Sequence, residues 1–171
     1  MYQQLYSGGF CMSGWSRKKW ILLYLFVVIV GTLWHFVYNF TGENRFVGYF
    51  FPINESTWEH MKLVYFPMLL CMAIFVRKFD VRWLLGSLIG TWLIPVMFYT
   101  YNGILGFGVM ALDIINFYVS VLAAFVFVYK TLNAKWSTAA CMAVRIGYIA
   151  QGILFIACTY HPLPLGIFAE P

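Results

Sequence analysis

Residues 17–40 read RKKWILLYLFVVIVGTLWHFVYNF, from Arg17 to Phe40. Three basic residues are followed by 21 positions, Trp20–Phe40, that carry no charged side chain other than a histidine. About 20 apolar residues at 1.5 Å rise cross a ~30 Å hydrocarbon core. The start resembles a signal-peptide n-region, but the apolar stretch is too long for an h-region and no Ala-x-Ala-type site follows, so a retained span is expected. Four more runs of the same kind follow: 58–76, 81–101, 104–129 and 138–160. The expected fold class is all-α, a polytopic membrane protein of about five transmembrane helices.

Composition agrees. The chain is 63% hydrophobic and 10% charged, where soluble domains carry about 25% charged residues. A net charge of +5 would point to nucleic acid in a soluble protein. Here the basic residues sit in short connections between apolar runs, as membrane orientation requires, so no nucleic-acid partner is expected. With the amino terminus in the cytoplasm, Arg17, Lys18, Lys19, Arg77, Lys78, Arg82, Lys130 and Lys135 lie inside, and only Arg45 and Lys62 outside. The carboxyl terminus is then outside. Trp20, Trp83, Tyr129 and Trp136 mark the inner boundary; Tyr38, Trp58, Tyr99, Tyr101 and Tyr160 mark the outer one. The multi-pass protein would sit in the cell membrane, with the lipid bilayer as its partner.

The expected organisation is a tail over 1–16, one helical domain over 17–161 and a tail over 162–171. Residues 1–11 carry no charge; Met12 would begin a more compact chain, so the preceding residues are expected to be disordered or an extension. Residues 46–53 are apolar but too short to cross, and are expected to lie on the outer surface or dip into it. Gly86 and Gly90 form a GxxxG that lets backbones approach, against an internal neighbour or a second copy of the chain. Pro67 and Pro95 each remove a backbone donor and are expected to kink their spans. Cys11, Cys71, Cys141 and Cys158 lack CxxC spacing and read as small buried hydrophobes.

The chemistry concentrates in Pro52-Ile53-Asn54-Glu55-Ser56-Thr57-Trp58-Glu59-His60-Met61-Lys62. A bilayer cannot solvate these groups, so they must cap a helix, pair, or bind something. Capping accounts for part: Ser56-x-x-Glu59 is a capping box, Asn54 is an alternative cap, and Glu59 and Lys62 can pair at i,i+3. Glu55 and His60 are not needed for it. With His35, roughly 7–8 Å below the outer end of the first span, they form the rim of an expected outward-facing polar cup. Its residues are His35, Asn54, Glu55, Glu59, His60 and Lys62, with Asp113 and Arg145 below. A divalent metal on His35, Glu59 and His60 is the expected cofactor reading, since imidazole and carboxylate suit zinc. Asp113, Asn116 and Ser120 form one polar stripe. With the fourth run starting at residue 104, Asp113 falls near the midplane, about level with Arg145, and the two are expected to pair. Gln151 is expected to make an interhelical hydrogen bond. No phosphate loop, nucleophile elbow or nucleotide fingerprint occurs.

Trp34-His35-Phe36-x-Tyr38, then Phe51-Pro52-x-Asn54-Glu55-Ser56-x-Trp58-Glu59-His60-x-Lys62-Leu63 and Phe66-Pro67-x-Leu69-Leu70, resemble an uncharacterised domain-of-unknown-function family of small bacterial membrane proteins. The resemblance implies an inner-membrane protein, with His35, Asn54, Glu55, Ser56, Trp58, Glu59, His60 and Lys62 as signature positions, and no activity. Tyr160-His161-Pro162 puts a histidine where that family tends to have proline. Ser56-x-x-x-His60 with Asp113 and His161 is faintly similar to the alkaline ceramidase and adiponectin-receptor membrane hydrolases. Those have seven spans and a paired His-x-x-x-His, which this chain lacks. Three functions are therefore open: a protein binding or conducting a small ligand or ion, a metal-dependent membrane hydrolase, or a structural partner without a site.

Overall fold

Serine and aspartate side chains start four of the five long helices in the computed structural model, which describes residues 15–170. Ser16 caps α1 (Arg17–Phe40), Ser56 caps α3 (Thr57–Cys71), Asp80 caps α4 (Val81–Leu105) and Ser137 caps α6 (Thr138–Thr159), each accepting a hydrogen bond from an amide of the first turn. α5 (Met110–Lys130) starts at Val109 without a side-chain cap. A short helix, α2 (Arg45–Gly48), lies between α1 and α3. A π-helical turn, Met72–Val76, prolongs α3. Five segments are long and apolar enough to cross a membrane: Arg17–Phe40, Thr57–Val76, Val81–Leu105, Met110–Lys130 and Thr138–Thr159. The expected tail over 1–11, the Met12 start and Cys11 lie outside the described residues. Cys71 and Cys158 are buried free thiols and Cys141 is half-buried.

One boundary differs from the sequence expectation. α4 runs on through Gly103 to Leu105 and stops at Gly106, whose φ of 77° is the left-handed cap that glycine adopts at little cost. α5 therefore begins at Met110 rather than 104, and Asp113 falls in its first turn.

α3 is the centre. It is buried on nearly every side, as a helix enclosed by others must be, and it packs against α1, α4 and α5. α6 docks through a reciprocal tyrosine pair: the Tyr65 hydroxyl donates to the Tyr148 carbonyl at 2.7 Å, and the rings stack 4.4 Å apart. The indole of Trp92 donates to Gln151 Oε1 at 3.1 Å, the interhelical bond expected of Gln151. Gly86 and Gly90 are buried against α5, where a Cβ on Gly90 would stand 2.7 Å from the Ser120 carbonyl oxygen. The internal neighbour open from sequence is α5. α3 and α4 run through Pro67 and Pro95.

Eight of the basic residues, Arg17, Lys18, Lys19, Arg77, Lys78, Arg82, Lys130 and Lys135, fall at the start of α1 and at the α3–α4 and α5–α6 connections. There Trp20 stacks on Trp83 at 5.8 Å and meets Tyr129 edge-on at 5.6 Å, and Arg82 donates to the carbonyls of Thr131 and Ala134. The other end holds the 45–53 segment, folded back over the bundle. Trp34 donates its indole N–H to the Phe50 carbonyl, and Tyr160 donates its hydroxyl to the Arg45 carbonyl. Residues 162–170 turn back as well, bringing Phe168 to 4.7 Å from Trp58. The outer faces of α1, α5 and α6 expose Leu22, Ile29, Leu33, Ile115, Leu122, Ile149 and Ile153, side chains that match a hydrocarbon solvent.

Candidate functional site

Two unrelated polar groups grow from the block around residues 52–62. The first is structural. Lys62 is fully buried, and its three N–H donors are all used: 2.7 Å to Glu59 Oε2, 2.8 Å to Thr159 Oγ1 and 3.1 Å to the Gly48 carbonyl. The same Glu59 oxygen accepts the Ile53 amide at 3.0 Å. The pair therefore ties α3 to α6, to α2 and to the loop before α3. Gly48 carries no side chain here because a Cβ would collide with the Tyr160 hydroxyl and with Ile53 and Tyr38. The expected capping box is half formed. Ser56 Oγ accepts the Glu59 amide at 3.3 Å, but the Ser56 amide is taken by Asn54 Oδ1, because the Glu59 carboxylate is spent on Lys62 and Ile53.

The second group faces the surface. His35, five residues from the end of α1, and His60, in the first turn of α3, lie with ring centroids 5.4 Å apart. Glu55, in the loop between, reaches both: Oε1 is 3.5 Å from His35 Nε2 and Oε2 is 3.4 Å from His60 Nε2. One ligand atom from each of the three lies within 4.8 Å of the others. His60 Nδ1 stands 3.0 Å from the Ser56 carbonyl. A carbonyl only accepts, so Nδ1 carries the hydrogen; Nε2 faces Glu55, as a lone pair when the ring is neutral and as a second N–H donor when it is protonated. His35 Nδ1 is buried without a partner, so no neighbour fixes that ring's tautomer. Glu59 is thus not the carboxylate of the histidine cluster; Glu55 is. Both occur within five residues of His60, and only burial separates them: the Glu55 side chain is 63% exposed and that of Glu59 3%.

The Glu55 carboxyl is held below its ordinary value, chiefly by the hydrogen bond with His60 and also by both imidazole charges, against the upward pull of burial. A depressed carboxylate contributes stability that is complete above the unfolded value of about 4.3 and is lost as pH falls through the lower folded one. Solvent screening keeps this contribution small. In chelator, the melting temperature of wild type is expected to exceed that of Glu55→Gln at about pH 5–6, where the carboxyl is ionised and a protonated imidazole can donate to it, the gap closing below about pH 4. A gap that stayed constant down to pH 3 would contradict the pairing.

Asp113 and Arg145 do not pair. Asp113 accepts a hydrogen bond from the Tyr101 hydroxyl of α4, whereas Arg145 is exposed on α6. The later start of α5 is the reason: it puts Asp113 in the first turn of that helix, at the end of the bundle. Deeper on the same stripe, Asn116 donates to the Ile94 carbonyl at 2.9 Å and Ser120 donates to Asn116 Oδ1 at 3.2 Å, joining α5 to α4. Tyr101 was missed from sequence, since nothing local marks it as the partner of Asp113. Of the set Ser56, His60, Asp113 and His161 that resembles the membrane hydrolases, the Ser56 side chain is a helix cap, Asp113 answers Tyr101, and His161 is exposed beyond α6.

The site has a closed floor. Gly31, one turn below His35, lies where a Cβ would be 2.6 Å from Phe117 Cζ and 2.7 Å from the Leu63 carbonyl oxygen. Phe117 is itself one turn below Asp113. α1, α3 and α5 are therefore in contact directly beneath the histidines.

A family model described as a family of unknown function (DUF6512) matches residues 12–171. No curated protein and no solved structure matches the chain.

Proposed function

The chain belongs to this family of unknown function, DUF6512, and we propose that it is a bacterial inner-membrane protein that binds a small cation in a shallow cup facing the outside of the cell. The observation that carries the reading is the convergence of His35, Glu55 and His60 from three separate elements on one point at the surface. Asn54 contributes by shaping the turn that presents Glu55. Glu59, Lys62 and Arg145 hold no part of the cup. Binding is favoured over conduction because the helices touch at Gly31 just below the histidines. The orientation follows from charge: eight basic residues at the opposite end of the bundle favour that end as cytoplasmic.

His35→Cys, Glu55→Cys and His60→Cys, each in a chain otherwise freed of cysteine, are expected to react with a membrane-impermeant maleimide added to the outside of intact cells, and a small cation is expected to slow the labelling of Phe36→Cys, which keeps all three residues of the cup and lies beside His35. Labelling only after the inner face is opened would overturn the orientation. Labelling of residues 35 and 60 from opposite sides would overturn the cup.

A further inference from the structure

We propose that the cation is a first-row transition metal of the zinc class, held by His35 Nε2, the Glu55 carboxylate and His60 Nε2. This names the ligand of the cup proposed above and rests on that reading.

Donor chemistry selects the metal. Two imidazoles and one carboxylate form an N/O set that suits zinc, iron, nickel or copper. Magnesium and calcium require oxygen ligands, and only one residue here offers them. Spacing agrees as well. Ligands at about 2.1 Å from a tetrahedral centre lie about 3.4 Å from one another. The Nε2-to-carboxylate separations are 3.4 and 3.5 Å, one to each carboxylate oxygen, and the three ligand atoms lie within 4.8 Å of one another, so a metal would draw the set together by an ångström or so.

The second argument is the tautomer. With Nδ1–H donated to the Ser56 carbonyl, a neutral His60 presents a lone pair to a carboxylate oxygen that is also a lone-pair donor. Two acceptors 3.4 Å apart need a positive centre between them, either a proton or a metal ion. A backbone carbonyl behind the ligating histidine is the usual outer partner of a metal-bound imidazole, because it orients the ring and raises its basicity. Ser56 supplies that carbonyl while its side chain caps the helix bearing His60, so helix start and ligand orientation are one local structure.

The surroundings also fit. Lys62 is committed to Glu59, Thr159 and Gly48, and no ammonium or guanidinium pairs with His35, Glu55 or His60 among the described residues. The exposure of Glu55 leaves an entry path and room for a solvent or substrate ligand in the remaining position. Protons compete for the same lone pairs, so metal binding must release them and weaken with acidity.

The test is zinc chloride titrated into the full chain, purified in detergent through a histidine-free tag, stripped with chelator and followed by calorimetry and elemental analysis. One zinc per chain is expected at pH 7.5, undisturbed by excess magnesium and weaker at pH 5.5. Glu55→Gln and His60→Ala are each expected to weaken binding by more than about 100-fold, beyond the roughly 10–100-fold that outer partners supply. Glu43→Gln, in a different turn, is expected to bind as wild type does. Glu55→Gln keeps the test sharp should His60→Ala fail to fold, because Glu55 is a surface side chain. Wild type that binds no zinc, or a folded Glu55→Gln that binds it as tightly, overturns the metal. Outside labelling with cation protection but no zinc binding would leave the cup and remove only the metal; inside labelling would remove the proposed orientation.

Discussion

Lys62→Met is expected to destabilise the protein by about 3–5 kcal/mol, the scale for removing one partner of a buried ion pair. Methionine fills a similar volume, so packing changes little and the cost is electrostatic. Glu59 would keep its burial and one donor, the Ile53 amide, but lose its counter-charge. The Gly48 carbonyl and the Thr159 hydroxyl would lose a donor at the same moment. The damage would spread beyond α3, because these contacts fasten the 45–53 segment and the end of α6. Glu59→Gln should cost less than Lys62→Met, since an amide can still accept from Ile53. The double variant Glu59→Gln/Lys62→Met should fall well short of the sum of the two, because the unpaired buried charge is what each single change leaves behind. Thermal unfolding in detergent checks all three. A Lys62→Met protein within about 0.5 kcal/mol of wild type, the range of surface substitutions, would show that the amine is solvated rather than buried.

Gly90→Val should be the most disruptive of the changes between the spans. The first added carbon meets the Ser120 carbonyl oxygen at 2.7 Å, Ala124 Cβ at 3.0 Å and Val64 Cγ1 at 3.2 Å. The nearest of these is backbone in another helix, which cannot turn aside as a side chain can. α4 and α5 must therefore separate, at a cost at or above the roughly 1–3 kcal/mol typical of overpacking. In a bilayer helix association depends on close packing, so this contact has no hydrophobic drive to replace it. Gly147→Ala is the contrast. Nothing lies within 4 Å of its Cβ position on α6, and replacing helical glycine by alanine is expected to gain up to about 1 kcal/mol. A lower melting temperature for Gly90→Val and an equal or higher one for Gly147→Ala is the expected pattern. Equal melting for Gly90→Val and wild type would place this face against lipid.

The five long apolar helices were legible because they follow from runs of apolar residues, a property read along the chain. The spans 20–40, 58–76 and 138–160 matched their helices to within three residues at either end. The turn between α4 and α5 was misplaced because Asn102-Gly103 and Gly106–Gly108 are both plausible breaks. A left-handed cap at Gly106 decides between them, and φ is not written in a sequence. That one shift moved Asp113 from mid-span to the bundle end and removed its pairing with Arg145.

Sequence by itself marked five runs apolar and long enough to suit hydrocarbon, with most of the chain's charges in the connections between them or at their ends. It also marked the block around residues 52–62 as the place where polar chemistry gathers. Tertiary structure alone decided which carboxylate does what. Glu55 and Glu59 are separated by about one helical turn and have the same side chain. One is left at the surface between two imidazoles brought from α1 and α3; the other is enclosed with Lys62 by α2 and α6. Burial is set by what other segments cover, and that depends on contacts between distant residues such as Lys62 and Thr159, 97 positions apart.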